Sequence, residues 1–165
     1  MRKIISIASI AILSLGFSGC APKMIQASAE QDKLAKEFAT NPNQSNIYIC
    51  RNEFLGSAIN MPITIDGKFI GKTDGHSFFY LTVKPGEHTI MSLTENVQTL
   101  LLNTEKNKNY FIWQEVKMGA WEADSKLHKV DASHKFGKNC ILKTKMLKED
   151  KNITDHSNKN MYDNL

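Results

Sequence analysis

Apolar residues fall into three regimes along this chain. Residues 4–17 form an almost unbroken apolar run behind the positive pair Arg2 and Lys3. Leu34, Ala35 and Phe38 then share one face at helical spacing. From Ile47 onward, short apolar or alternating segments are separated by Gly, Pro, Asn and Asp, which is the pattern of an all-β domain.

The helix is predicted to start at Ser28, which forms a capping box with Gln31, and to end at Asn41-Pro42. Strands are predicted over residues 47–50, 62–66, 68–73, 77–83, 88–93, 97–102, 110–117 and 126–130. In the fourth of these, Phe79, Leu81 and Val83 share a face. Asp66-Gly67 supplies a tight hairpin and Lys84-Pro85-Gly86-Glu87 a turn. Asp131 is expected to cap a short helix that Gly137 stops, and Ile141-Leu142 to add a last edge strand. Residues 148–165 are polar, with little to bury, and read as a disordered tail.

The run at residues 4–17 is too short for a spanning helix. With its positive head and the small residues Ser18 and Gly19, it has the three-part layout of a secretory signal. The Phe17-Ser18-Gly19-Cys20 junction resembles a bacterial lipoprotein signal, with Phe17 where Leu is usual. The resemblance implies cleavage before Cys20 and lipidation of that residue, palmitate included. Ala21, where an Asp would imply inner-membrane retention, implies the outer membrane. The alternative is an ordinary cleaved signal beside an incidental cysteine.

Cleavage there removes 19 of the 165 residues and leaves 146, enough for one domain with a core. Loss of Arg2 and Lys3 reduces 21 basic side chains to 19, against 17 acidic ones. No basic cluster remains to track a phosphate backbone, so nucleic acid is not an expected partner. Cys50 and Cys140 are the other cysteines. In an exported chain the pair suggests a bridge, and the alternative is two separate buried thiols.

Several strings resemble one bacterial family. They are Ile47-Tyr48-Ile49-Cys50-Arg51, Ile65-Asp66-Gly67-Lys68-Phe69-Ile70-Gly71, Phe79-Tyr80-Leu81, Pro85-Gly86-Glu87-His88-Thr89 and Trp113-Gln114-Glu115-Val116-Lys117-Met118-Gly119. The family is catalogued as domain of unknown function 2846, and the likeness covers residues 46–147. The half from Asp66 to His88 is also similar to PEGA-type domains. The resemblance implies an antiparallel sandwich of PEGA-like or prealbumin-like form, so the expected fold is mostly β, with the short N-terminal and short late helices read above. It implies no activity. Cys50 departs from the family pattern, where an aromatic or aliphatic residue is more ordinary.

Candidate chemistry is thin. The five His residues lack His-x-x-x-His spacing on a helix, so no metal or cofactor is expected. No Gly-x-Ser-x-Gly elbow surrounds Ser57. Glu115 shares strand phase with Phe111 and Trp113, which suggests that it points inward, where it would need Arg51 or Lys117 as partner or a raised pKa. It reads as a carboxylate in a ligand cleft or, in preference, as a structural one that ties down the Met118-Gly119 loop. Met118-Gly119-Ala120-Trp121 follows a long strand and offers a Trp in a connection, a common setting for contact. Arg51, Glu115, Met118 and Trp121 are therefore the candidate partner-contact residues.

The expected organisation is a signal at residues 1–19, a lipidated tether with a short helix at 20–45, the sandwich at 46–147 and a polar tail at 148–165. The expected role is a non-catalytic lipoprotein held to the membrane at Cys20, on the periplasmic face of the outer membrane, docking an envelope protein. The alternatives are a lipid or small-ligand carrier, which needs a cavity, and a cell-wall hydrolase, which needs placed carboxylates or a metal.

Overall fold

A computed structural model of the protein describes residues 24–54, 57, 59–94, 96–118 and 123–150. In chain order its elements are α1 (Ala29–Ala35), β1 (Ser45–Arg51), β2 (Met61–Ile65), β3 (Lys68–Thr73), β4 (Ser77–Val83), β5 (Gly86–Ser92), β6 (Gln98–Thr104), β7 (Lys108–Met118), β8 (Ala123–Val130), α2 (Lys138–Lys143) and β9 (Lys145–Met146). They build a five-stranded sheet in the order β8-β7-β1-β4-β9 and a four-stranded sheet in the order β3-β2-β5-β6. The mostly β sandwich is as expected. The strands are not all antiparallel, because β1 runs parallel to β7 and β4 parallel to β9. Parallel neighbours need a long crossover. Here the chain between β1 and β7 crosses to the second sheet as β2 and β3, returns to the first as β4, and crosses again as β5 and β6.

The pleat of β1 sorts its side chains into two cores. Ile47 and Ile49 face the other sheet and join Ile63, Ile70, Phe79, Ile90 and Ile112. Tyr48 and Cys50 face outward, into a second cluster with Ala35, Phe78, Phe111, Cys140 and Ile141. All of β1 is buried, which explains why it reads as a continuous apolar run rather than an alternation. Phe78 and Phe79 are neighbours in sequence, yet each serves a different cluster. Burying one such ring contributes roughly 1.5–3 kcal/mol.

The capping box of α1 forms as expected: Ser28 Oγ accepts from the Gln31 amide at 3.2 Å, and Gln31 Oε1 accepts from the Ser28 amide at 3.1 Å. The helical face divides, however. Ala35 is 3% exposed and Leu34 57% exposed. Because α1 ends at Ala35, Phe38 has left the helical period, with φ of 55°. From that turn its ring still reaches Tyr48 and Phe111, at 5.5 and 5.9 Å.

The late helix is displaced from its expected place. Residues 132–136 are turns and a bend, Gly137 precedes α2 instead of stopping a helix, and Ile141-Leu142 are helical rather than strand. A Cβ on Gly137 would lie 2.3 Å from the Asp131 carbonyl oxygen and 2.7 Å from that of Ala132. Its glycine therefore serves a close backbone approach, not a helix stop. Inward placement of Cys140 and Ile141 against the second cluster holds α2 in position. The edge strand follows as β9.

Both ends of the described chain are sewn to the fold. The Ala27 amide donates to the Met146 carbonyl at 2.9 Å, and the Lys148 amide to the Ile25 carbonyl at 2.9 Å. The Asp150 amide reaches the Ile70 carbonyl of β3 at 2.8 Å. Residues 24–27 and 148–150, read from sequence as tether and tail, thus close the side of the sandwich between β9 and β3. The signal, Cys20 and residues 151–165 lie outside the described residues.

The strand registers define two ends. At the loop end are the C-terminal ends of β1, β3, β5 and β7. At the turn end are the connections after β2, β4 and β6.

Candidate functional site

The last residue of β1, Arg51, is carried by its strand into the loop end. It is 0% exposed. Its guanidinium donates to the Ile59 carbonyl and, at 3.3 Å, to the Thr73 carbonyl, and lies 3.4 Å from Glu53 Oε2. Glu53 Oε1 accepts from Trp113 Nε1 at 3.0 Å and from the Val116 amide at 3.4 Å. The first long connection is thereby clamped to β3 and β7. Burial pushes the Arg51 pKa down, against the opposing charges of Glu53 and Asp74. Burial likewise pushes Glu53 up, partly countered by the Trp113 and Val116 donors and by Arg51.

Beneath this clamp a polar seam crosses between the sheets. Thr73 Oγ1 donates to Gln114 Oε1 at 2.5 Å, Gln114 Nε2 donates to Ser92 Oγ at 2.8 Å, and Ser92 Oγ meets Ser125 Oγ at 2.5 Å. All four residues are buried. Their mutual bonds offset the cost of placing polar groups in the interior.

Glu115 points to the opposite face of β7 from Gln114. Phe111, Trp113 and Glu115 do share a face, but it is the outer face of the sheet, so the inward reading of Glu115 is corrected. Glu115 Oε2 lies 2.9 Å from His128 Nε2 and 4.0 Å from Lys117 Nζ. The His128 ring stacks on Trp113 at 5.0 Å, and Trp113 stacks on Phe136 at 3.8 Å and 12°. Beside them runs an open groove of about 400 Å³, lined by Trp113, His128, Lys129, Val130, Asp131 and His134. Among the described residues, no group of three or more His, Cys, Asp or Glu side chains could hold a metal.

The four contact candidates are not one site. Arg51 is an interior strut, which corrects its reading as a contact residue. Glu115 is partly exposed on the outer face. Met118 ends β7 opposite Ala123, at the loop end, and Trp121 lies outside the described residues. The connection after β1 shares that end, and there Phe54 is 84% exposed. Sequence reasoning missed the part played by Glu53. Its spacing two residues beyond Arg51 was the available signal, since neighbouring opposite charges beside an apolar strand often fold back on one another.

Cys50 and Cys140 form a disulfide, with Cα atoms 6.3 Å apart and 90 residues between them in sequence. It ties α2 to β1, the central strand of the larger sheet. The alternative of two separate thiols is set aside.

Two sheets around a filled core, a polar seam at one end and a crosslink to an outer helix define a disulfide-braced β-sandwich module. The chain belongs to the family described as "Protein of unknown function (DUF2846)", which matches residues 41–126. A protein of Haemophilus influenzae (strain ATCC 51907 / DSM 11121 / KW20 / Rd), described as "Uncharacterized protein", is 37% identical over 148 residues, spanning 88% of this chain and 86% of that relative. No solved structure matches the chain.

Proposed function

We propose that the protein is a non-catalytic lipoprotein of the cell envelope, anchored through Cys20 at the periplasmic face of the outer membrane, whose sandwich docks another envelope protein. The observation that carries this reading is the signal layout ending in Ser18-Gly19-Cys20. The Cys50–Cys140 bridge agrees with it, since disulfides persist in exported proteins. A non-catalytic role fits the carboxylates nearest the candidate surfaces: Glu53 is held by Trp113 and Val116, and Glu115 by His128. An interior filled by Ile49, Ile63, Phe79, Ile90 and Ile112 favours docking over a carrier's cavity.

Docking is assigned to the loop end, where Phe54 is exposed and β7 ends opposite the start of β8, three residues before Trp121 in sequence. The anchor keeps partner and sandwich at high local concentration, so a small interface suffices. The test has two parts. Mass spectrometry of the mature N-terminus should find an acylated Cys20. A photo-crosslinker at Phe54 should capture a defined envelope protein, and Trp121→Ala should abolish the adduct. An unmodified Cys20 overturns the anchor, and adducts unchanged by Trp121→Ala overturn the docking site.

A further inference from the structure

The place where the N-terminal segment leaves the sandwich fixes how the sandwich would sit on a membrane. Gln26 pairs antiparallel with Leu147, and β9 runs parallel to β4. Followed backwards from Ala27 to Met24, the chain therefore travels along β4 from Ser77 toward Val83. Val83 is opposite Ser45, and Ser45 is opposite Lys108, so this direction leads to the turn end. The loop end lies behind it.

The reach of the tether is short. Four Cα steps separate Cys20 from Met24, and such a segment spans at most about 14 Å whatever its conformation. Met24 itself packs against the first core cluster, so the rigid body begins there. The seven residues of β4 alone extend over roughly 20 Å. Ile25, next to the exit, is 63% exposed although it is a large apolar residue. A headgroup–acyl boundary would accept that side chain. Charge at the turn end is mixed, with Lys84, Lys106 and Lys108 against Glu87 and Glu105, so tether length and exit direction dominate.

We propose that the sandwich rests on phospholipid headgroups through its turn end and the Met24–Ile25 corner, and that it presents the loop end away from the bilayer. This rests on the lipoprotein reading above. It also agrees with docking at the loop end, because that end stays open to a partner.

The experiment uses the full chain made with its own signal and reconstituted into phosphatidylethanolamine–phosphatidylglycerol vesicles. A fluorophore is attached at Lys106→Cys (turn end), Lys148→Cys (beside Ile25) or Asn96→Cys (loop end), and quenching by headgroup-labelled lipid is measured. Quenching should be several-fold stronger at positions 106 and 148 than at 96. Equal quenching, or the strongest at 96, overturns the orientation. Mass spectrometry and vesicle flotation separate the two failures. An acylated, floating chain with the wrong quenching order sinks the orientation alone. A chain without acyl groups sinks the lipoprotein reading and the orientation with it.

Discussion

The Gln114 side-chain amide joins the two sheets of the sandwich, donating from Nε2 to Ser92 Oγ across the core at 2.8 Å. Its other end accepts from Thr73 on β3. The next residue, Glu115, faces outward to His128. One step along β7 thus passes from an interior hydrogen-bond seam to an outer hydrogen bond.

Replacing the amide tests the seam. Gln114→Leu keeps the bulk but leaves Thr73 and Ser92 each one partner short, a loss of about 2 kcal/mol by the usual cost of unmade buried bonds. In a double-mutant cycle with Ser92→Ala, the two losses should fall short of adding by about 0.5 kcal/mol or more. Urea unfolding measures both, and a Gln114→Leu protein as stable as the parent would remove the seam from the stability argument.

Reduction should weaken the fold markedly. The bridge closes a loop with a separation of 90 residues, which the chain-entropy account values at about 4 to 5 kcal/mol. The double variant Cys50→Ala/Cys140→Ala should lose about 4 kcal/mol in urea unfolding at fixed pH. A loss below about 1 kcal/mol would mean that packing of α2 on β1 holds the outer layer without the covalent link.

His88 gives the stability a pH signature. Its Nδ1 lies 2.7 Å from Asp66 Oδ2 and its Nε2 2.8 Å from the Lys84 carbonyl, so the doubly protonated ring satisfies both acceptors. Burial pushes the His88 pKa down, but the bonds to Asp66 and Lys84 outweigh it and the net shift is upward. Burial pushes Asp66 up, and the bonds from His88 and the Thr89 amide outweigh that too, so its net shift is downward. The raised His88 contributes fully below about pH 6.5, and this is lost as pH rises through its folded value. The depressed Asp66 contributes above about pH 3.9, and this is lost as pH falls through its folded value. The pair therefore stabilises fully between those limits. Thermal melts should decline above about pH 6.5, and Asp66→Asn should flatten that decline. An NMR titration that places His88 at or below the ordinary histidine value would refute the assignment.

Much of the fold was legible because its signals are local. The Ser28–Gln31 box, the Asp66-Gly67 hairpin and the Lys84-Pro85-Gly86 turn each act within a few residues. The elements after Val130 were not. Gly137 carries the same letter whether it stops a helix or lets Asp131 and Ala132 approach, and only the long-range docking of Cys140 decides between them. The strand phase of β7 was read correctly, with Trp113 and Glu115 together. Which face is interior depends on a second core layer built by α1 and α2, and alternation alone cannot report that. Arg51 looked like a surface charge after a strand. Its burial follows from partners brought together from separate parts of the chain, among the described residues the Ile59 and Thr73 carbonyls and the Glu53 carboxylate.

That burial makes Arg51 the sharpest point at which to separate a structural role from a contact role. A surface contact residue could be truncated with little effect on unfolding, within about 0.5 kcal/mol. Arg51→Ala instead removes the cation beside Glu53 and the donor to two carbonyls, and loss of one member of a buried pair costs about 3 to 5 kcal/mol. Arg51→Lys should recover less than half of that, because an ammonium on a flexible stem cannot span the Ile59 and Thr73 carbonyls and still face Glu53. The Trp113 indole bonded to Glu53 gives a local readout, since release of the clamp should shift its fluorescence before global unfolding. If Arg51→Ala unfolds with the parent and only partner capture falls, the residue belongs to an interface and the loop end must open in solution.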